Sequence, residues 1–223
     1  VGIAMGQKGS EAAKEVADLV LADDNFATIA AAVREGRTVR DNLRKVIGFE
    51  LPTSAGEAGV IVVALLLGLS LPVTAVQILW VNLITGITLG LALAFEPTEA
   101  GTMSRPPPDR DAPILSGALG WHVVLVTGLF LAAVFGVFTY ALDRGYSLAL
   151  AQTMAMNTLV VLEIFHLFFI RNIHGTSLTW AAVRGTPVIW AVTAAITAAQ
   201  VAVTYVPPLQ KVFGTEPVAL SDG

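Results

Sequence analysis

The sequence predicts a mostly α-helical, polytopic membrane bundle of about five spans, preceded by a short α/β segment and a long stalk helix. Three observations predict it. Of the 223 residues, 55% are hydrophobic and 13% charged, against about 25% charged in a soluble domain, and mean hydropathy is +0.72. Apolar stretches fall near 46–69, 75–94, 120–142, 148–170 and 187–206, each close to the roughly 20 residues a helix needs to cross a bilayer. The stretch from Phe26 to Leu69 opens basic, with Arg34, Arg37, Arg40, Arg44 and Lys45, and then turns apolar. As one helix it would rise about 65 Å, roughly twice the hydrocarbon thickness. It would therefore join a region outside the membrane to a span within it.

Composition also excludes some functions. The net charge of −4 argues against a nucleic-acid partner, which needs a basic surface. With no cysteine, disulfides, thiolate catalysis and cysteine metal sites are ruled out. No charged segment leads into an apolar one at the start, so no signal peptide is read there. Both ends read as cuts in a longer protein.

The chain divides by composition into 1–25, a stalk over 26–45 and a membrane region over 46–223. Val1–Met5 and Leu19–Leu21 are short apolar runs flanking a helix-like Glu11–Val16. That order suggests strand, loop, helix, strand, with a parallel sheet. So short a segment cannot bury a core alone, so it reads as the tail of a larger domain. Gly6-Gln7-Lys8-Gly9-Ser10 has the wrong order and spacing for a P-loop and reads as a plain loop. Asp23 and Asp24 are conceivable metal ligands. The simpler reading is that Asp24 or Asn25 caps the helix beginning at Phe26. Arg37, Arg40 and Arg44 share a helical face. They form either a docking surface or, more simply, an inner anchor obeying the positive-inside rule.

Span A, Val46–Leu69, holds Glu50 and Glu57. Pro52 removes an N–H and crowds the preceding turn, which predicts a kink or unwinding near Gly48–Phe49. Gly56 and Gly59 permit close approach of another helix. Glu50, Ser54 and Glu57 share one face. Leu71-Pro72 is an outer turn. Span B, Ala75–Ala94, carries Asn82 and Thr85 one turn apart. Thr85-Gly86 and Gly90 are places where backbone carbonyls become available, although Asn and Thr also serve simply as interhelical hydrogen-bonding groups. Trp80 lies away from both ends and reads as packing. A Pro-rich connector from Glu96 to Leu115 follows, with Arg105 and Arg110. Span C, Gly120–Leu142, has only His122, read as an interfacial histidine, and ends at the turn Asp143-Arg144-Gly145. Span D, Leu148–Ile170, contains Gln152, Asn157, Glu163 and His166. The last two, one turn apart, could bind a cation, relay protons or pair with each other. A basic loop from Arg171 to Arg184 leads to span E, Pro187–Val206, with Gln200. Basic residues favour the stalk side: Arg105, Arg110, Arg171 and Arg184 join the stalk, against Arg144 and Lys211 outside.

A carboxylate at mid-bilayer costs on the order of 3 kcal/mol. Glu57 and Glu163 are therefore expected to face the bundle interior and meet cations, protons or each other. Glu50, nearer the stalk, reads as an interfacial salt-bridge partner. Glu, Asn, Thr and backbone carbonyls suit hard cations, so an ion site is expected between spans A, B and D.

Several motifs together resemble the C-terminal half of a P-type cation-transporting ATPase of the calcium and sodium/potassium pump branch. They are VGIAMG at Val1–Gly6, ADLVLADDNF at Ala17–Phe26, Gly56-Glu57, QILWVNLIT at Gln77–Thr85, FEP at Phe95–Pro97 and MSRPPP at Met103–Pro108. The resemblance covers essentially the whole chain. It implies that residues 1–25 end a cytoplasmic phosphorylation domain, that the long helix links phosphorylation to ion sites, and that the spans look like the fifth to ninth of ten. ATP and Mg2+ would be bound by the N-terminal remainder of the polypeptide, and this piece would not hydrolyse ATP by itself. By position, Ser54, Glu57, Asn82, Thr85, Gly86 and Glu163 match cation-site places. Ser54 stands where the calcium-pump branch has Asn, and Gly86 where it has Asp. Losing that Asp removes a charge and two strong oxygens. One divalent ion, a monovalent ion and proton countertransport through Glu163 and His166 all remain open.

The leading expectation is the transport half of a pump that couples ATP hydrolysis to movement of calcium or another hard cation. Its surroundings would be membrane lipid, in a prokaryotic plasma membrane. A secondary transporter or channel subunit without ATP chemistry has no need of the α/β tail. A structural scaffold has no need of carboxylates at depth.

Overall fold

The computed structural model describes residues 1–107, 117–171, 186–219 and 221. Pro108, Arg110, Asn172 and Arg184, and with them most of the second basic loop, lie outside the described residues. The chain forms two units, one of Val1–Asp41 with Pro97–Asp109, the other of Asn42–Glu96 with Arg110–Gly223.

In the first unit, β1 (Ile3–Met5), α1 (Glu11–Val16) and β2 (Leu19–Leu21) follow in order. The strands pair in parallel, with Ala4 opposite Val20. Ser10 caps α1 by accepting from the Ala13 N–H at 3.2 Å. The intervening glycines are dictated by space. A Cβ on Gly6 would lie 2.7 Å from Ala22 Cα, and one on Gly9 2.1 Å from the Met5 carbonyl oxygen.

The long helix α2 spans Ala27–Leu66, shorter by one residue at the start and three at the end than the sequence suggests. Asn25 caps it, its side-chain oxygen accepting from the Ala27 N–H at 3.0 Å. Asp24 is not the cap: its carboxylate accepts from the N–H groups of Gln7 and Lys8 at 2.8 and 3.0 Å. It turns away because its backbone sits in the left-handed region, φ 54°, which short polar residues tolerate. The stalk arginine Arg37 donates to the carbonyls of Thr102 and Arg105, both at 2.8 Å. Arg105 in turn pairs with Asp41 at 2.7 Å. Part of the basic face therefore holds the connector.

The predicted unwinding at Gly48–Phe49 does not occur: α2 is helical through Pro52. The Thr53 hydroxyl lies 3.0 Å from both the Phe49 and Glu50 carbonyls. These are back-bonds to the helix's own carbonyls one turn earlier; the carbonyl that Pro52 leaves without its N–H partner is that of Gly48.

The second unit contains the rest of α2, then α3 (Ala75–Val81), a π-helical turn at Asn82–Gly86 and α4 (Ile87–Ala94). After these come α5 (Gly117–Asp143), α6 (Leu148–Ile170), α7 (Pro187–Tyr205) and the short α8 (Pro207–Phe213). Among the described residues, five stretches are long and apolar enough to cross a membrane: α2, the α3–α4 run, α5, α6 and α7. A capping box starts α3, with Thr74 and Gln77 exchanging hydrogen bonds.

Small residues set the helix spacing. A Cβ on Gly56 would come 3.1 Å from Phe130, and one on Gly59 3.2 Å from Leu131, so α5 lies close against α2. The core centres on Phe49, Leu89, Phe130, Met156 and Leu159. Polar residues tie the helices together within it. Trp80 donates its indole N–H to Gln200 at 2.9 Å, and Gln200 donates to Asn157 at 2.7 Å. Gln152 donates to the Leu71 carbonyl at 2.9 Å. Arg171, at the start of the expected basic loop, is buried and pairs with buried Glu96 at 2.9 Å.

Candidate functional site

The candidate site lies in the second unit, where α2, the π turn and α6 meet. The π turn covers Asn82, Thr85 and Gly86, and the Ile87 N–H reaches back to the Asn82 carbonyl. The backbone there widens by one residue instead of opening fully, a distortion often found at functional positions.

Glu57 is 5% exposed. Its Oε2 accepts from the Asn82 amide at 2.7 Å. Glu163, on α6, is 1% exposed. Its carboxyl group lies beside the Glu57 carboxyl and the Thr85 hydroxyl. That hydroxyl also sits 2.6 Å from the Val81 carbonyl. Glu163 Oε2 is sealed from solvent with no hydrogen-bond partner among the described residues.

Two carboxyl groups and a hydroxyl oxygen thus converge, with the Asn82 amide as the donor among them. None of the ion pairs among the described residues includes Glu57 or Glu163. Two ionised carboxyl groups side by side in low dielectric repel one another, and a hard cation or a proton relieves that repulsion. No group of three or more His, Asp and Glu side chains close enough to share one metal ion occurs among the described residues. Any cation here would rely on amide, hydroxyl and carbonyl oxygens besides the two carboxyl groups.

The other predicted positions differ. Gly86 borders this group: a Cβ on it would lie 3.8 Å from both Asn82 Oδ1 and Glu50 Oε2. Ser54 is exposed and makes no hydrogen bond to the others. Glu50, read as an interfacial salt-bridge partner, takes part in no ion pair among the described residues. It turns instead toward Gly86 and Gly90, lining an open groove of about 710 Å³ with Val46, Asn82 and Leu83. The signal was present in the sequence: Glu50 is two turns from Glu57 on the same face, and the two glycines leave a bare stripe on span B.

The histidines also depart from expectation. His166 does not pair with Glu163. Its Nε2 lies 3.0 Å from Nε2 of His122, and its ring stacks on Phe49. His122, near the start of α5, thus also packs against α6. One turn of α6 separates the carboxyl group from the imidazole, and α5 supplies a nearer partner.

Comparison with known proteins agrees with this architecture. Residues 70–222 match the family described as Cation transporting ATPase, C-terminus. The chain is 47% identical over 218 residues to the probable cation-transporting ATPase F of Mycobacterium tuberculosis, covering 98% of this chain and 24% of that protein. It is 38% identical over 224 residues to the calcium-transporting ATPase of Bacillus subtilis, covering all of this chain and 25% of the relative. To the mouse calcium-transporting ATPase type 2C member 2 it is 32% identical over 223 residues, covering all of this chain and 24% of that protein. The chain thus spans about a quarter of the length of these relatives. A run of five apolar helices and a family match across most of them place this chain in the C-terminal region of the cation-transporting ATPases, as an integral, multi-pass membrane protein.

Proposed function

We propose that this chain is the transport half of a P-type pump that couples ATP hydrolysis to movement of a hard cation, calcium or another, across a membrane. The single observation that carries the reading is the meeting of Glu57, Asn82, Thr85 and Glu163 inside the bundle with no basic side chain paired to either carboxyl group. Such groups at membrane depth are expensive and are retained where an ion or proton needs them. In this reading Ser54 and Gly86 border the ion's path. ATP and Mg2+ belong to the N-terminal remainder of the polypeptide, and phosphorylation there reaches the site along α2. The surroundings are lipid, in a prokaryotic plasma membrane. Calcium stands among the candidates because two of the relatives are named calcium-transporting.

The test uses the full-length protein in membranes, phosphorylated from ATP across a panel of cations. Glu57→Gln is expected to abolish cation-dependent phosphoenzyme formation. Unchanged phosphoenzyme with unchanged cation dependence would remove Glu57, and the site with it.

A further inference from the structure

We propose that Glu50 is a further cation-binding and specificity-determining residue, acting in the groove beside the Glu57–Glu163 group. The inference rests on the pump reading and adds to it a ligand that the motif positions omit. Glu50 Oε2 and Asn82 Oδ1 each lie 3.8 Å from the point where Gly86 would carry a Cβ. Two hard oxygens therefore flank a backbone position that carries no side chain. Gly90 makes the reach possible, because a Cβ there would sit 2.7 Å from Glu50 Oε1. The groove they line is open, holds about 710 Å³ and is otherwise walled by apolar side chains such as Leu79, Leu83, Ile87 and Leu91, so Glu50 and Asn82 are the side chains in it that offer oxygen to a cation. Asn82 is common to both places: its amide donates to Glu57 at 2.7 Å, while its oxygen faces the Gly86 side. No Lys or Arg pairs with Glu50 among the described residues, so its charge is available to an ion. Because Glu50, Glu57 and Glu163 do not form one three-carboxylate cage, Glu50 acts on an ion held against span B and not on one shared equally by all three. Its occupant is a hard divalent cation, since oxygen donors and added negative charge raise affinity for such ions.

The experiment measures phosphorylation of the full-length protein from ATP while calcium or manganese(II) is titrated, with sodium as the monovalent control. Glu50→Gln is expected to raise the half-activating divalent concentration by roughly ten-fold or more, with the maximum phosphoenzyme level retained. Gly90→Ala keeps the carboxyl group but pushes aside the flexible end of Glu50. It is expected to shift the same curve by a smaller factor with little effect on folding. Combining Glu50→Gln with Gly86→Asp returns a carboxylate to the same space from the opposite helix and is expected to restore the affinity, which loss of a packing contact would not predict. If Glu50→Gln folds and its titration curve overlays the wild type while Glu57→Gln is inactive, the Glu50 inference falls and the pump site stands. If both curves overlay the wild type, the site itself falls. Should Glu50→Gln not fold, an unshifted Gly90→Ala curve overturns the inference and a shifted one supports it.

Discussion

Two regions of the membrane unit bury carboxyl groups and treat them in opposite ways. At one, Glu96 meets Arg171 through two guanidinium nitrogens, at 2.9 and 3.4 Å. Nearby, Asn42 donates to the Glu96 and Ala94 carbonyls at 2.7 and 3.1 Å, tying α2 to the end of α4. Charge and hydrogen-bonding capacity are satisfied by the protein itself. At the other, Glu57 and Glu163 meet an amide, a hydroxyl and each other, and an oxygen of Glu163 has no partner among the described residues. Burial alone therefore does not mark a site. In the pump reading proposed above, the buried carboxyl group that lacks a resident cation is the one that would meet an ion.

The contrast predicts opposite signs for similar substitutions. In the full-length protein, Glu163→Gln should reduce cation-dependent phosphorylation by about 100-fold. Its thermal unfolding midpoint should hold or rise, because the change removes a poorly compensated buried acid. Arg171→Met should do the reverse, costing about 3–5 kcal/mol of stability by stranding Glu96. Adding Glu96→Leu should recover most of that loss. If Arg171→Met were the better tolerated of the two in a detergent unfolding assay, the distinction between the regions would collapse.

A smaller effect concerns the neutral ladder between helices. Gln200→Leu strips a partner from both Trp80 and Asn157 and should cost about 1 kcal/mol, seen as a lower unfolding midpoint with the cation titration unmoved. A shifted titration would mean that the ladder communicates with the site.

The smallest effect is outside the membrane. The Thr28 hydroxyl, and then the Asn25 N–H, hold the exposed Asp23 carboxyl below its ordinary range. A depressed folded value means its stabilising contribution is present above the unfolded value near pH 4 and fades as pH falls through the lower folded one. With the intrinsic pH dependence of amide exchange divided out, protection at Ala27–Ile29 should fall in the wild type as pH drops from 7 to 3. Asp23→Asn should flatten that dependence.

Much of this was legible in the sequence. Apolar runs of bilayer length specify the spans, because a backbone in hydrocarbon must satisfy its own hydrogen bonds and a helix does so locally. The three-and-four spacing placed Glu50 and Glu57 on one face, and Gly56 and Gly59 marked where a neighbour approaches. Partner choice was not legible. His166 lies one turn from Glu163 yet pairs with His122 across to α5. Arg171 counted as a topology signal until Glu96 was found beside it. Pro52 predicts a kink or unwinding near Gly48–Phe49, and the helix continues through it.

What the sequence by itself determined was the set of membrane-length apolar helices and the inward place of Glu57 and Glu163, since these follow from periodicity and from the cost of exposing backbone or charge to lipid. Only the tertiary structure decided which inward polar group meets which. That choice depends on a few ångströms between helices distant in the chain, where a glycine or a π turn moves an oxygen within reach of one partner and out of reach of another.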